Sequence, residues 1–113
     1  MYLHKTSEYH YGEKRGSKSI YFKIMRGPVE IGRVEIYVNT IYHLASIEMI
    51  KLRKWCRGKG WGTVAFYLLL KVLKRLKVTK VTTDYVRLSS YRWWKHLGFR
   101  TTSIRGILVR RIW

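Results

Sequence analysis

A glycine-spaced segment that leads directly into an apolar helix constrains this chain more than any other feature. Residues 57–63 are Arg-Gly-Lys-Gly-Trp-Gly-Thr, and an apolar run follows at 64–70. Glycines let the backbone turn tightly and approach a ligand closely. The first amides of a helix have no internal partners and carry a partial positive charge. The segment therefore predicts a loop and a helix N-terminus that hold a phosphate group.

The residues before the loop narrow the kind of phosphate site. Residues 45–52 predict a strand, so strand, loop and helix are continuous. The spacing is not the Gly-x-x-x-x-Gly-Lys-Ser/Thr of nucleotide triphosphatases. A three-glycine dinucleotide pattern that starts at Gly58 and Gly60 would need its third glycine where Thr63 stands. Neither of these two nucleotide-binding patterns fits.

Two segments together resemble a known family. Arg57, Gly60 and Gly62 match the Arg/Gln-x-x-Gly-x-Gly/Ala motif with which the GNAT superfamily of N-acetyltransferases binds acyl-CoA. About 30 residues later, residues 90–99 (Ser-Tyr-Arg-Trp-Trp-Lys-His-Leu-Gly-Phe) resemble the family's second signature, a short helix that ends in Leu-Gly-Phe. The resemblance extends over roughly residues 30–102.

The predicted elements agree with the fold that this resemblance implies. Periodicity and turn residues predict strands at 19–25, 30–38, 45–52, 80–86 and 105–112, a helix from Gly62 to about Lys77, and a short helix that starts at Ser89 or Ser90. The long helix is expected to bury Ala65, Leu68, Leu69, Val72 and Leu76. The resemblance implies an α+β fold, α/β-sandwich-like, with a mostly antiparallel central sheet flanked by helices. Compared with the family, the first strand and the helices after it are expected to be shortened or absent.

Length and composition predict a single-domain, intracellular protein. The 113 residues suffice for a single core, which we place at 19–113, with residues 1–18 as a basic N-terminal arm or edge element. The lone Cys56 cannot form an internal disulfide. The sequence shows neither a membrane-length apolar run nor the apolar stretch of a signal peptide, so we expect a cytoplasmic protein without a membrane partner.

The resemblance implies acetyl-CoA, or another acyl-CoA, as the cofactor. Backbone amides of strand residues would polarise the thioester carbonyl, and loop amides would hold the pyrophosphate. The residues expected to bind the cofactor are Ile50, Leu52, Arg57, Gly58, Lys59, Gly60, Trp61, Gly62, Thr63 and Trp94. Trp94 stands where the family has a tyrosine that protonates the departing thiolate, which an indole cannot do. Arg87 replaces an asparagine that the family has near this position.

The catalytic candidates are therefore Glu48, Tyr91 and Tyr85. Glu48 lies on the strand where some family members carry a general base, and the alternative for it is an ion pair with a neighbouring cation. Asp84 is a weaker candidate for the same role. Tyr91 or Tyr85 would replace the missing tyrosine, although buried tyrosines more often serve packing.

The charge of the chain exceeds what an acyl-CoA would need. Twenty-four Lys and Arg residues against six Asp and Glu give +18, and Asp84 is the one acidic residue between Met49 and Trp113. A polyanion converts such repulsion into affinity through counterion release. The candidates for contact with nucleic acid are Arg53, Lys54, Trp55, Arg92 and Lys95, and the alternative is a solvated basic face.

Two functions follow from these features. One is an acetyl-CoA-dependent N-acetyltransferase whose acceptor is a nucleic acid or a nucleic-acid-bound protein. The other is a non-catalytic protein of the same fold that binds DNA or RNA through its basic surface.

The four histidines lack metal-ligand spacing, so we expect no metal site. The oligomeric state stays open, with a dimer among the options.

Overall fold

The computed structural model describes residues 1–112, which form one seven-stranded sheet and two α-helices. The strands are β1 Tyr2–His10, β2 Ser17–Arg26, β3 Val29–Asn39, β4 Leu44–Leu52, β5 Lys80–Thr83, β6 Arg100–Thr101 and β7 Leu108–Arg111, and the helices are α1 Trp61–Arg75 and α2 Tyr91–His96. Short 3₁₀ turns lie at Lys54–Cys56 and Leu88–Ser90. Trp113, the last residue of the predicted domain, lies outside the described residues.

The sheet has the strand order β1-β2-β3-β4-β5-β7-β6. Every neighbouring pair is antiparallel except β4 and β5, which run parallel. The α1 helix forms the crossover between the two parallel strands, as parallel pairing requires. The prediction of an α+β fold with a mostly antiparallel sheet and flanking helices is confirmed.

The apolar core lies on one face of the sheet. Cross-strand partners such as Phe22 with Val34 and Ile36 with Ile47 share this face, and all four are buried. The α1 helix packs here, and Phe66 on it contacts Phe99 at a ring-centroid distance of 5.6 Å. The opposite face presents polar and basic side chains, with Tyr37 and Ser46 facing each other across β3 and β4.

The N-terminal residues form a complete edge strand, although the family order had predicted a first strand that was shortened or absent. β1 pairs with β2 from Tyr2↔Met25 to His10↔Lys18. Seven of its nine residues are exposed, and Leu3 and Glu8 are partly buried. Because backbone pairing and not side-chain burial forms this strand, the sequence carries no period-2 signal for it. Only residues 11–16 connect β1 to β2, so no helix lies between these strands.

The C-terminal strands are shorter than predicted. β5 ends at Thr83 and not at residue 86: the Asp84 N–H still bonds to the Ile47 carbonyl at 2.9 Å, but the Val86 N–H bonds to the Gly106 carbonyl at 2.8 Å. The predicted strand 105–112 is limited to Leu108–Arg111, and the two-residue β6 pairs beside it. Such short elements carry too few residues to show a periodicity.

The α1 helix buries two of the five predicted side chains, Ala65 and Leu69, together with three others. Ala65, Phe66, Leu69, Leu70 and Leu73 are buried. The predicted Leu68, Val72 and Leu76 are only partly buried, because Phe99 and the sheet contact the neighbouring stripe. None of the helices in residues 1–112 has the length and apolar content needed to cross a lipid bilayer.

We predict that Lys77→Gly stabilises the fold by about 0.5–1 kcal/mol. After α1, the Lys77 N–H bonds to the Lys74 carbonyl and the Val78 N–H to the Leu73 carbonyl, which is the helix-ending motif that favours glycine. Lys77 holds the required left-handed conformation with φ 61°. Urea unfolding at equilibrium measures the change.

Lys71→Gly is the matched control for this prediction. Lys71 is also exposed but lies inside α1, where glycine costs about 1 kcal/mol. Equal destabilisation by the two substitutions would contradict the assignment of strain to Lys77.

Candidate functional site

The candidate site begins where β4 and β5 separate. The two strands pair from Leu44↔Lys80 only as far as Ile47↔Thr83, whereas β4 continues to Leu52. At the same point β4 contains a bulge, because Ile47 faces Ile36 and Met49 faces Glu35, which leaves Glu48 without a partner on β3. A bulge bends and twists its strand. The edge of β4 after Ile47 is therefore open on the side where β5 would have continued.

The backbone groups of Ile50 and Leu52 face this opening. The Arg53 N–H bonds to the Ile31 carbonyl at 2.8 Å, which fixes the β3 side of the strand. Because backbone groups alternate in direction along a strand, those of Ile50 and Leu52 point the other way. The Leu52 carbonyl accepts a hydrogen bond from Arg57 Nε at 3.2 Å from that side. The two strand residues predicted to polarise a carbonyl thus have N–H groups directed into open space.

The glycine loop follows at the end of this edge. Gly58 and Gly60 have φ values of 76° and 77°, a conformation that other residues adopt only with strain. No atom lies within 4 Å of a Cβ built on either residue. Gly60 caps α1 without a side-chain hydrogen bond, and the first turn contains no acidic residue. The first amides of α1 are therefore available to an anion.

The α2 helix closes the opposite wall. Trp93 Nε1 donates a hydrogen bond to Thr63 Oγ1 at 3.1 Å, which ties α2 to the first turn of α1. Trp94 is buried, and its ring packs edge-on against Phe99 at a centroid distance of 5.0 Å. A Cβ on Gly62 would lie 3.6 Å from the Trp93 ring, which is ordinary van der Waals contact, so the two helices are close together at this point.

The open edge and the loop belong to one groove with two sections. The inner section has a volume of about 380 Å³ between β4, the end of β5 and α2. The outer section has a volume of about 700 Å³ and extends along the glycine loop. Ile50, Lys51, Ser90 and Trp93 line both sections.

Most of the predicted cofactor residues line this groove. They are Ile50, Leu52, Arg57, Gly58, Gly60, Gly62 and Thr63, with Trp94 at the inner end. Lys59 and Trp61 lie beside it, and the Trp61 ring contacts the cations of Lys59 and Arg26 at 5.1 and 4.7 Å. The sequence did not single out Lys51 and Ser90, although Lys51 is adjacent to the predicted strand amides.

Glu48 lies in the inner section together with Asp84. Partial burial of the carboxyl raises its pKa, and the negative charge of Asp84 raises it further, while a hydrogen bond with Ser46 opposes the shift and Glu35 adds a smaller increase. The alternative prediction, an ion pair, is not seen: the ion pairs described among residues 1–112 all use Glu8 or Glu30. A carboxyl with a raised pKa binds a proton more readily, which suits a general base.

The structure distinguishes the two candidate tyrosines. Tyr85 is 74% exposed and lines the inner section of the groove. The Tyr91 hydroxyl accepts a hydrogen bond from the Gly106 N–H at 2.6 Å, and Tyr91 is not a lining residue of either section. Tyr85 is thus the tyrosine with access to a ligand in the groove, and Tyr91 holds a loop.

The residues predicted to contact nucleic acid are exposed but not all available. Arg53 donates from Nε to the Glu30 carbonyl at 2.9 Å and also pairs with the Glu30 carboxylate. Lys54 and the 58% exposed Trp55 lie in the 3₁₀ turn after β4. Arg92 and Lys95 are exposed on α2. Arg53 therefore serves the structure, whereas the other four remain accessible.

The remaining candidates for chemistry are accounted for by packing. Cys56 is fully buried at the end of the 3₁₀ turn that precedes the glycine loop. Within residues 1–112, no three His, Cys, Asp or Glu side chains form a group that could hold a metal ion.

Comparison with known proteins supports the fold. No protein-family model and no curated protein sequence matches the chain. Among solved structures it is similar to Tetrahymena GCN5, with a TM-score of 0.72, 13% identity, and coverage of 88% of this chain and 70% of that one. A Bacillus cereus acetyltransferase gives a TM-score of 0.72 at 12% identity, with coverage of 90% and 79%.

A third similar structure was solved with a ligand. It is the PaiA N-acetyltransferase of Thermoplasma acidophilum in complex with coenzyme A, with a TM-score of 0.71 at 16% identity. The match covers 82% of this chain but only 60% of that one. The predicted GNAT acyltransferase fold is confirmed, and it is present here in a shorter chain.

We predict that Tyr91→Phe destabilises the protein by about 1–3 kcal/mol, because the N–H of the buried Gly106 loses its acceptor. Tyr85→Phe removes the same atom from an exposed ring and should leave the free energy of unfolding nearly unchanged. Denaturant titration of both variants tests the contrast. A larger loss in Tyr85→Phe would contradict the assigned roles.

Proposed function

We propose that the protein is an N-acyltransferase that transfers an acyl group from acetyl-CoA, or another acyl-CoA, to an amine. The observation that supports this most is the continuous groove between the separated β4 and β5. It joins free strand amides at one end to a glycine loop and a helix N-terminus at the other. An acyl-CoA needs this combination, since it carries a polarisable carbonyl at one end and phosphates at the other.

The residues present fit this cofactor. The amides around Gly60 to Thr63 suit a pyrophosphate because they are directed outward from an uncapped helix end. Arg57 and Gly58 line the same section and add positive charge and backbone space. The N–H groups of Ile50 and Leu52 would face the thioester, which supplies the activated acyl group when bound.

The side chains of the inner section suit direct transfer to an amine. Glu48 accepts a proton from the amine as its nitrogen forms the new bond to the acyl carbon. The strand N–H groups stabilise the charge that develops on the carbonyl oxygen. Tyr85 would be the proton donor for the departing thiolate, and direct transfer of this kind needs no covalent enzyme intermediate.

The charge distribution supports the choice of acceptor. Glu48 and Asp84 at the inner section attract a cationic amine, while the chain as a whole, at +18, repels one. A polyanion can hold such an amine near the protein. We therefore favour an amine of a protein bound to nucleic acid as the acceptor, and an amino group of the nucleic acid itself, which is uncharged, is the second acceptor that we propose.

Gly60→Asp should weaken the binding of acetyl-CoA at least about tenfold. The new carboxylate lies at the N-terminus of α1, where it competes with the pyrophosphate for the amides and repels it. Isothermal titration calorimetry of protein freed of nucleic acid gives the dissociation constant, and dephospho-CoA reports the contribution of the ribose phosphate.

Gly12→Asp makes the same change in charge on the loop between β1 and β2, where a Cβ also has open space. This variant should bind acetyl-CoA like the parent protein. If both variants bind equally well, or if the parent protein shows no saturable binding, the groove is not an acyl-CoA site.

Glu48→Gln should lower kcat/KM by about 10²-fold or more while acetyl-CoA binding is retained. In the parent protein, activity should fall as the pH drops through the raised pKa of Glu48, because the protonated carboxyl no longer accepts a proton. Transfer from radiolabelled acetyl-CoA to polyamines, basic proteins and tRNA measures the rate.

The same variant should be more stable than the parent protein at neutral pH. A raised pKa means that the ionised carboxyl destabilises the fold above that pKa, and the penalty disappears as the pH falls below the ordinary value. Melting temperatures of the variant and the parent protein across this pH range therefore show whether a lower rate comes from loss of the base or from loss of structure. If the parent protein binds acetyl-CoA but transfers nothing, the alternative of a non-catalytic nucleic-acid-binding protein is favoured.

A further inference from the structure

A second cleft lies at the edge of the sheet formed by β5, β7 and β6. Its volume is about 570 Å³, and its lining residues are Lys80, Gly98, Arg100, Val109, Arg110 and Arg111. Four of these six residues are cationic and none is acidic. We infer that this basic cleft binds the phosphate backbone of double-stranded nucleic acid, without regard to base sequence.

Strand pairing places three of the cations together on the face of the sheet opposite α1. Lys80 faces Arg111 across β5 and β7, and Arg100 faces Val109 across β6 and β7. Because side chains alternate between faces along a strand, Lys80, Arg100, Val109 and Arg111 share one face, and the buried Val81 lies on the other. All three cations are exposed, on a face that no helix of residues 1–112 covers.

Arg110 is fixed at the rim of the cleft. Its Nε donates to the Leu97 carbonyl at 2.8 Å and its Nη1 to the Arg111 carbonyl at 2.9 Å. A Cβ on Gly98 would lie 3.0 Å from Arg110 Nε, so glycine leaves the space for this guanidinium. The arginine is thus held in one position before any ligand arrives.

Repulsion between the cations of the cleft destabilises the fold, and a bound anion would relieve it. Like charges directly opposite each other across two strands are destabilising, and Lys80 and Arg111 have this relation. No cation of the cleft takes part in the ion pairs described among residues 1–112, which use Glu8 or Glu30 and partners within residues 5–53. A row of phosphates can neutralise the charges of Lys80, Arg100 and Arg111 together and releases counterions.

The lining favours a duplex over a single strand. Proteins that bind single strands stack bases on aromatic side chains, and none of the six lining residues is aromatic. The cleft also lies far from the glycine loop, which is the outer end of the acyl-CoA groove. Leu44 is paired with Lys80, and the glycine loop follows Leu52, so at roughly 3.3 Å per residue the two ends of β4 are about 26 Å apart.

The test compares two variants with equal loss of charge. One is Lys80→Gln/Arg100→Gln/Arg111→Gln. The other, called the α2-side variant, is Lys54→Gln/Arg92→Gln/Lys95→Gln, which removes two exposed cations of α2 and one of the 3₁₀ turn after β4. Fluorescence anisotropy with a short fluorescein-labelled DNA duplex, over a series of NaCl concentrations, gives affinity and salt dependence. The single variant Arg100→Gln replaces the first triple if that triple fails to fold, as judged by thermal melting.

The cleft variant should bind the duplex at least about tenfold more weakly than the parent protein, with a log–log salt slope smaller by roughly 2–3. The α2-side variant should lose much less. The inference is overturned if both triples lose affinity equally, if the α2-side triple loses more, or if the parent protein prefers a single strand or polyglutamate of matched charge. It builds on the nucleic-acid partner of the proposed function but not on acyl transfer, so a binding result stands whether or not the protein is catalytic.

Discussion

The site depends on the limited pairing between β4 and β5. Four residue pairs hold the two parallel strands together, and the bulge at Glu48 then bends β4 while β5 ends. If the pairing continued along β4 to Leu52, the N–H groups of Ile50 and Leu52 would be used inside the sheet. The groove, the exposed amides and the position of Glu48 thus have a single cause, an interruption in a hydrogen-bond ladder.

The placement of the few acidic residues shows how a chain with +18 charge keeps its fold. Glu30 contacts Lys23, Arg33 and Arg53. Burial works against its ionisation, yet the hydrogen bond from Arg53 and the nearby cations lower its pKa overall. This cluster fixes the segment just before the glycine loop. The C-terminal strands have no comparable cluster among residues 1–112, so the ion pairs described there do not neutralise their positive charge.

The sequence predicted the elements whose residue types and spacing carry a local signal of their structure. The glycine loop, the helix after it and the hairpin of β2 and β3 were clear, because left-handed glycines and alternating apolar residues are local signals. For β1 the prediction left an arm and an edge element open, since most of its side chains are exposed. The bulge was missed because Ile47 and Ile50 both look like core residues and only the register with β3 shows the extra residue. The roles of Tyr85 and Tyr91 could not be distinguished from the sequence, because the hydrogen bond that occupies the Tyr91 hydroxyl comes from Gly106, 15 residues away.

The thiol of Cys56 can report local opening of the segment that precedes the glycine loop. It is the one thiol in 113 residues, and it is fully buried in the short turn that joins β4 to the glycine loop. An alkylating reagent can reach it only when this turn opens, so the labelling rate counts local openings of one segment. A ligand bound to the glycine loop is expected to reduce these openings and so to slow the labelling. The labelling rate therefore measures occupancy of the groove without a mutation or an attached dye.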